Sequence, residues 1–414
     1  MRIAVVGSGI SGLTAARLLA RAHEVVLLEA QARPGGHTHT HRVEVDGRTV
    51  SVDTGFIVYN DRNYPHFTRL LDELGVAGRP TSMSFSVHDE ASGLEYNGGT
   101  LTGLLSRRRN ALSPVFWSLV RDVLRFNREA PQVLGLAGTG PALGDWLESE
   151  RYGAPFVERY LVPMAAAIWS VPTARMADFP VKRLVEFFRN HGLLSLTDRP
   201  QWYVVDGGSR SYVDRILSEL GDAVRLGTPV RAVRRPAEGG ALVATDAGTE
   251  RFDAVVLACH SDEALALLAD PSPQEGAVLG AIGYQRNAVV LHTDPRVLPQ
   301  RRRSWAAWNY RLPRTGADGA TVSYWMNLLQ HVDVATPLVV TLNQDARIDP
   351  ARVLARMEYA HPVFDAPSVE AQGRRGEISG VRDTWYCGAY WRYGFHEDGC
   401  LSAVEVAAGL GVPW

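Results

Sequence analysis

RIAVVGSGISGLTAARLLARAHEVVLLEA, residues 2–30, places three glycines between two apolar runs. Ile3–Val6 reads as a strand, Leu13–Arg21 as an Ala/Leu-rich helix, and Val25–Leu28 as a second strand ending on the acid Glu29. Gly7, Gly9 and Gly12 stand at the G-x-G-x-x-G spacing, with the acid ~20 positions on, which predicts a βαβ dinucleotide-binding unit. Gly7 permits the tight turn, Gly9 lets backbone approach a pyrophosphate, and Gly12 allows close helix–strand packing. Ile10 and Ser11, inside the glycine motif just ahead of that helix, are expected cofactor contacts, because the free N–H groups at a helix N-terminus favour an anion. Glu29, followed by Ala30, is placed to accept both ribose hydroxyls. The motif alone leaves NAD and FAD open.

The next residues choose between them. In EAQARPGG, residues 29–36, Glu29 is followed by Arg33 and then by Gly35-Gly36. This resembles the FAD-binding fingerprint of the amine-oxidase and phytoene-desaturase superfamily. There the resemblance implies that the acid binds the adenosine ribose while the arginine and Gly-Gly loop hold the pyrophosphate. A charged fork and exposed amides suit such a second pass along a diphosphate.

GGHTHTHRVEVDG, residues 35–47, then raises the question of a metal site, because His37, His39 and His41 alternate. No carboxylate or cysteine pair stands nearby at ligand spacing, and the expectation is that no metal binds. His37 directly follows the phosphate loop and is expected to touch a phosphate or the flavin edge. His39–Val45 reads as one arm of a hairpin closed by Asp46-Gly47, with His39 and His41 facing partners or solvent.

Further pieces of a cofactor cradle recur along the chain. VSVDTGF, residues 50–56, is a strand ending at Thr54-Gly55-Phe56, and Ile57–Asn60 leads to a helix over Tyr64–Leu74 stopped by Gly75. Thr228–Val233 is a short strand whose Val230 stands where superfamily members pair backbone with adenine. Phe252–Ala258 is a parallel-type strand by its apolar run. Residues 384–410 give a strand ending near Gly388, an aromatic loop, and Gly394-Phe-His-Glu-Asp-Gly399 opening an Ala-rich helix. In the superfamily that helix points its N-terminus at the flavin pyrimidine, so Gly388, Phe395 and His396 join Ala258 among the expected cofactor contacts.

Almost end to end, the chain is similar to a group of bacterial FAD-dependent oxidoreductases within this amine-oxidase-like superfamily. The stretches VDTGFIVYN (52–60), MSFSV (83–87), LVPMAAAIWS (161–170), NHGLLSLTDRPQW (190–202), GGSRSYV (207–213) and CGAYWRYGFHEDG (387–399) carry the resemblance. It implies an α/β architecture, a Rossmann-type FAD-binding domain of glutathione-reductase type interleaved with an α+β substrate domain, holding non-covalent FAD. Genes of that group commonly stand beside cyclopropane-fatty-acid-synthase-type methyltransferases, which implies chemistry on unsaturated or methylated acyl chains. The HTHTH run departs from the pattern.

On this reading the FAD domain comprises 1–75, 203–270 and 376–414. The substrate domain comprises 76–202, with a hairpin at Ser82–Tyr96 and helices over Leu101–Leu134 and Leu143–Trp169, and 271–375, with strands around Ala288–Thr293, Thr321–Met326 and Leu338–Leu342. Those strands are expected to pair with the hairpin into a sheet over the flavin. Trp305, Trp308, Tyr310, Tyr324, Trp325, Trp391, Tyr393 and Phe395 are expected to wall a dry pocket.

The 414 residues are 46% hydrophobic and 21% charged, with net charge −2, so no global field recruits nucleic acid. Three scattered cysteines fit a reducing, cytoplasmic compartment. No stretch reads as a signal peptide or a membrane span, and at most the Arg107–Arg109 region with Pro114–Phe126 offers peripheral membrane contact. The expected activity is hydride transfer to flavin N5 by a dehydrogenase, desaturase or isomerase acting on an apolar, acyl-lipid substrate. His396, Glu397 and Tyr393 are the candidate catalytic groups. Amine oxidation is the alternative, weakened because many superfamily amine oxidases hold a water near N5 with a lysine and Lys182 is the only lysine here. A flavin-bound protein without turnover is the remaining alternative.

Overall fold

The computed structural model describes residues 1–98, 112–195, 197, 199–313 and 321–414. The expected βαβ unit is present as β1 (Arg2–Val6), α1 (Ile10–Leu19) and β2 (Glu24–Leu28). It seeds a five-stranded, all-parallel sheet in the order Val224–Arg225, β2, β1, Ala254–Leu257, Thr384–Tyr386. Numbered along the chain this is 3-2-1-4-5, a doubly wound order whose switch point lies between β1 and Ala254–Leu257. Ligands of such sheets sit outside the carboxyl ends of the strands at that point.

Alternate side chains of β1 feed two cores. Ile3 and Val5 pack under α1, Pro65–Leu74, Arg210–Leu220 and the C-terminal helix His396–Gly409, whereas Ala4 and Val6 face the antiparallel sheet Val230–Arg234, Ala241–Thr245, Gly248–Phe252. Burial on both faces is why these strands read as unbroken apolar runs.

The hairpin Thr40–Val45/Arg48–Asp53 turns at Asp46 and Gly47, both at positive φ (52° and 71°), as the Asp-Gly pair predicted. A second, seven-stranded sheet runs Val353–Pro362, Tyr284–His292, Val339–Leu342, Val322–Trp325, Trp308–Leu312, Phe85–Asp89, Glu95–Asn97. The expected hairpin and three expected strands are all in it. Its longest member, the ten-residue edge strand Val353–Pro362, went unread because VLARMEYAHP has the composition of a helix.

Helices Pro114–Glu129, Leu143–Ser149, Val162–Trp169 and Val181–Asn190 enclose a third core rich in phenylalanine. The expected helix over Leu143–Trp169 is two pieces: Arg151 takes a left-handed φ of 55° and Gly153 follows it before the chain resumes at Ala154. Of the expected helix over Leu101–Leu134, residues 101–111, and with them Arg107–Arg109, lie outside the described residues. Among the described residues no helix is long and apolar enough to cross a membrane.

Candidate cofactor and active site

The glycine turn sits at the switch point. Gly7 has φ +102°, and a Cβ there would lie 3.0 Å from the Ala258 carbonyl oxygen; on Gly12 it would fall 1.8 Å from the Gly7 oxygen. At Gly9, by contrast, a Cβ would meet nothing within 4 Å. Helix α1 therefore starts beside open space, and no side chain caps it, leaving its first N–H groups for an outside acceptor. Ile10 and Ser11 are buried at this end. Glu29, at the end of β2, accepts from the Ser8 amide (2.8 Å), Ser8 Oγ (2.6 Å) and the Gln31 amide (2.8 Å), which fixes its carboxylate beside the turn. Ala30 follows it at the surface, while Val230 and Ala258 are buried.

The second loop interlocks with the first. Gly35 (φ +106°) donates its amide to Ser8 O at 3.1 Å, and a Cβ on Gly36 (φ +57°) would come 3.0 Å from Gly9 Cα. Arg33 does not extend its fork outward, as expected of a diphosphate clamp. It donates to the carbonyls of Thr38 (2.9 Å), Gly36 (2.8 Å) and Pro34 (3.2 Å), so it shapes the loop from behind.

His37 follows. Its carbonyl accepts from the Phe56 amide at 2.8 Å, and Gly55 packs so closely that a Cβ there would lie 2.1 Å from that oxygen. Its Nε2 is sealed from solvent with no partner. Thr54 bonds the Tyr359 hydroxyl at 2.9 Å, which also meets His39 Nδ1 at 2.9 Å. The rings of His39 and His41 lie with centres 3.9 Å apart, tilted by 36°. Among the described residues no group of three or more His, Cys, Asp or Glu side chains is arranged to hold a metal ion.

The three expected catalytic residues are not brought together. Glu397 accepts from His66 Nδ1 (2.6 Å) and from the amides of His66 (3.2 Å) and Phe67 (3.0 Å), capping the helix Pro65–Leu74. It is a clamp between helices, not a free base. His396 turns inward, stacked on Phe56 at 3.5 Å, with Nε2 at 3.0 Å from Thr38 Oγ1 and 3.1 Å from the Tyr212 hydroxyl. Burial pushes its pKa down to about 3, so at neutral pH it is an uncharged ring and no general acid. Tyr393 donates to Glu186 Oε2 at 3.3 Å beneath the Arg183 guanidinium, 4.1 Å from its ring centre.

Sequence reading missed Asp398. Buried at the start of the C-terminal helix, it accepts from the amides of Phe395 (2.9 Å) and Tyr393 (3.2 Å), and burial pushes it up to about 6. An acid three residues into a helix is the signal that would have found it. Tyr212, from GGSRSYV, was missed too. Gly388 is extended (φ 172°), and a Cβ there would strike the Tyr390 ring at 2.2 Å.

The expected aromatic wall divides. Phe395 stacks near Phe187 (5.1 Å), which stacks on His191 (3.8 Å) and touches Trp169 (4.9 Å) and Tyr393 (5.9 Å). Trp305 pairs with Trp325, and Trp308 with Tyr324, within the seven-stranded sheet, while Trp391 packs on Tyr390 behind the parallel sheet. A cavity of about 250 Å³ adjoins the first group, since Phe179 contacts Trp169 at 4.6 Å; its lining mixes Val171, Phe179, Val363 and Phe364 with the charged Arg175, Asp178 and Asp365.

Open space at Gly9 and an uncapped helix start suit the diphosphate of FAD. Comparison with known proteins agrees. The family model for flavin containing amine oxidoreductases matches residues 10–390. AofH of Mycobacterium tuberculosis, named as a flavin-containing monoamine oxidase, is 28% identical over 288 residues; the match takes in 65% of this chain but only 59% of AofH. Cyclohexylamine oxidase from Brevibacterium oxydans superposes with a TM-score of 0.71 at 15% identity, covering 99% of both chains. A CLA-producing fatty acid isomerase from P. acnes does so at 0.68, 15% identity and 98% of both chains. At such identities these structures share the fold. The chain belongs to the flavin containing amine oxidoreductase family.

Proposed function

We propose that the protein dehydrogenates or isomerises an unsaturated or otherwise modified acyl chain. The observation that carries this reading is the aromatic wall of Phe395, Phe187, His191 and Trp169 at the N-terminus of the C-terminal helix. These four rings are aromatic surface, and His191 among them is pushed down to about 4 by burial and so is uncharged. An acyl chain packs on that surface, with the charged Arg175, Asp178 and Asp365 at the adjoining cavity left for a polar end. Bound FAD supplies hydride acceptance at N5. The chain's own part is to exclude water, to orient the reacting carbon, and to hold the start of the C-terminal helix through Asp398, whose carboxylate ties the Tyr393 and Phe395 amides. Orientation of this kind supplies several kcal/mol of a barrier. Hydride removal from an unactivated chain is difficult, so an allylic or similarly activated position is the target.

Amine oxidation is the second reading, supported by the family match. Against it stands the only lysine: Lys182 Nζ donates to the Leu136 carbonyl at 2.7 Å on the outer side of its helix.

Anaerobic mixing decides between them. Acyl lipids carrying a double bond or methyl branch are expected to bleach the flavin faster than any primary or secondary amine. Rapid bleaching by amines with no response to acyl lipids moves the assignment to amine oxidase.

A further inference from the structure

Helix Pro114–Glu129 starts sharply, with Pro114 in its first turn and Ser113 Oγ accepting from the Phe116 amide at 3.3 Å. Phe116, Leu119, Asp122 and Phe126 are buried along one side and seat the helix between the core under the seven-stranded sheet and the phenylalanine-rich core. Asp122 is held on that inner side, accepting from the Gly153 amide at 3.1 Å.

The helical period then sets Pro114, Trp117, Arg121, Leu124 and Arg128 in a row on the opposite side, and all of them are exposed. Trp117 is 53% exposed and Leu124 51%, with Leu112 (87%) and Val115 (43%) at the helix start. Of the large apolar side chains exposed among the described residues, Trp117 is the only aromatic. A lone exposed leucine needs no explanation, but a row of this kind marks an interaction surface. The side chains of Arg121 and Arg128, 73% and 75% exposed, alternate with Trp117 and Leu124. Each has a carboxylate beside it, Asp122 at 3.4 Å and Glu129 at 2.7 Å. The segment is nevertheless basic: residues 101–135 hold six arginines against those two acids, in a chain of net charge −2.

We propose that the row Trp117, Arg121, Leu124 and Arg128 docks the protein on an anionic lipid bilayer, its apolar side chains entering the headgroup layer and its arginines meeting lipid phosphates. Tryptophan suits that boundary because it joins an apolar body to a polar N–H, and arginine because its stem lies on apolar surface while its head stays wet. Anionic lipid attracts each basic side chain near its surface. Among the described residues no helix can cross a bilayer, so the attachment is peripheral and reversible. A second copy of the chain suits the row less well, since a two-fold axis through it sets arginine against arginine.

The test is co-sedimentation of the FAD-loaded protein with sucrose-filled vesicles of saturated, unbranched lipids. Neither a double bond nor a branch is then present to draw the protein through its active site, so the result is independent of the acyl-chain reading. Vesicles of phosphatidylcholine with about one-third phosphatidylglycerol should bind the protein at ~0.1 M salt and bind it far less at ~1 M, as the Debye length shrinks from about 10 to about 3 Å. Pure phosphatidylcholine should bind at least about tenfold more weakly. Arg121→Glu with Arg128→Glu should weaken binding about twentyfold or more, whereas Arg121→Lys with Arg128→Lys should change it little. Trp117→Ser with Leu124→Ser should weaken it about tenfold. Circular dichroism establishes that the variants are folded. A wild type that ignores the anionic vesicles overturns the proposal, as does full binding by either the glutamate or the serine pair. A dimer in sedimentation velocity that the serine pair dissolves gives the row to a second copy and overturns it too.

Discussion

Glu397 and His66, 331 residues apart in the chain, meet at 2.6 Å, carboxylate oxygen to Nδ1. With the Phe67 amide at 3.0 Å on the other oxygen, this contact fastens the C-terminal helix to the start of Pro65–Leu74. Glu397→Ala should therefore lower stability by about 1.5–3 kcal/mol, the worth of a hydrogen bond to a charged group. Urea unfolding checks this. A variant with unchanged stability but lost turnover would return Glu397 to the reacting atoms.

Two glycines of one motif should respond in opposite ways. Gly12→Ala places a methyl 1.8 Å from the Gly7 carbonyl and should destabilise by about 3 kcal/mol or fail to fold. Gly9→Ala points into open space. It should keep its melting temperature yet lose FAD affinity by about tenfold or more, roughly 1.4 kcal/mol. Equal melting temperatures for the two variants contradict this packing.

Glu29→Ala should weaken FAD binding by two charge-assisted hydrogen bonds, about 1.5–3 kcal/mol each. It also frees Ser8, whose amide and hydroxyl both donate to that carboxylate. Unchanged FAD content at sub-micromolar protein shows that Glu29 is not the ribose ligand.

Acid should unfold the protein through histidines before ordinary carboxylates titrate. Burial pushes His191, His292 and His361 down to about 4 and His396 to about 3. Between pH 6.5 and 4 the unfolded chain binds protons at these positions and the fold does not, so stability falls as pH falls. Asp53 and Asp398, pushed up to about 6 by burial, act oppositely but are fewer. His292 isolates the effect. Its Nδ1 accepts from the Asp294 amide at 3.0 Å and Nε2 meets Thr341 Oγ1 at 2.8 Å, a neutral tautomer. His292→Gln should flatten the pH 6.5–4 slope by about 1.4 kcal/mol per pH unit, measured by urea unfolding; an unaltered slope contradicts it.

The fold was legible where one interaction range decided it. Gly7 to Glu29 forms a unit whose pattern is complete within about thirty residues, although the Ala258 carbonyl that crowds Gly7 comes from far along the chain. The catalytic trio was not legible, because adjacency in sequence says nothing about direction: His396, Glu397 and Tyr393 leave the same helix start toward Phe56, His66 and Glu186. Arg33 shows the same limit from the other side. Its spacing matches a phosphate clamp, but where a five-donor fork points depends on which carbonyls the Gly35–Gly36 loop turns toward it.

The parallel pairing of β1 with Ala254–Leu257 has a consequence for the order of events on the ribosome. Strand Ile3–Val6 emerges first, but the neighbour that covers its second edge is made some 250 residues later, roughly 12–50 s at ~5–20 residues per second. Through that interval an apolar strand edge is open in the nascent chain, and the last strand, Thr384–Tyr386, comes later still. Stalled chains released before residue 254 should bind chaperones and succumb to protease, whereas chains that extend through the C-terminal helix His396–Gly409 should resist both.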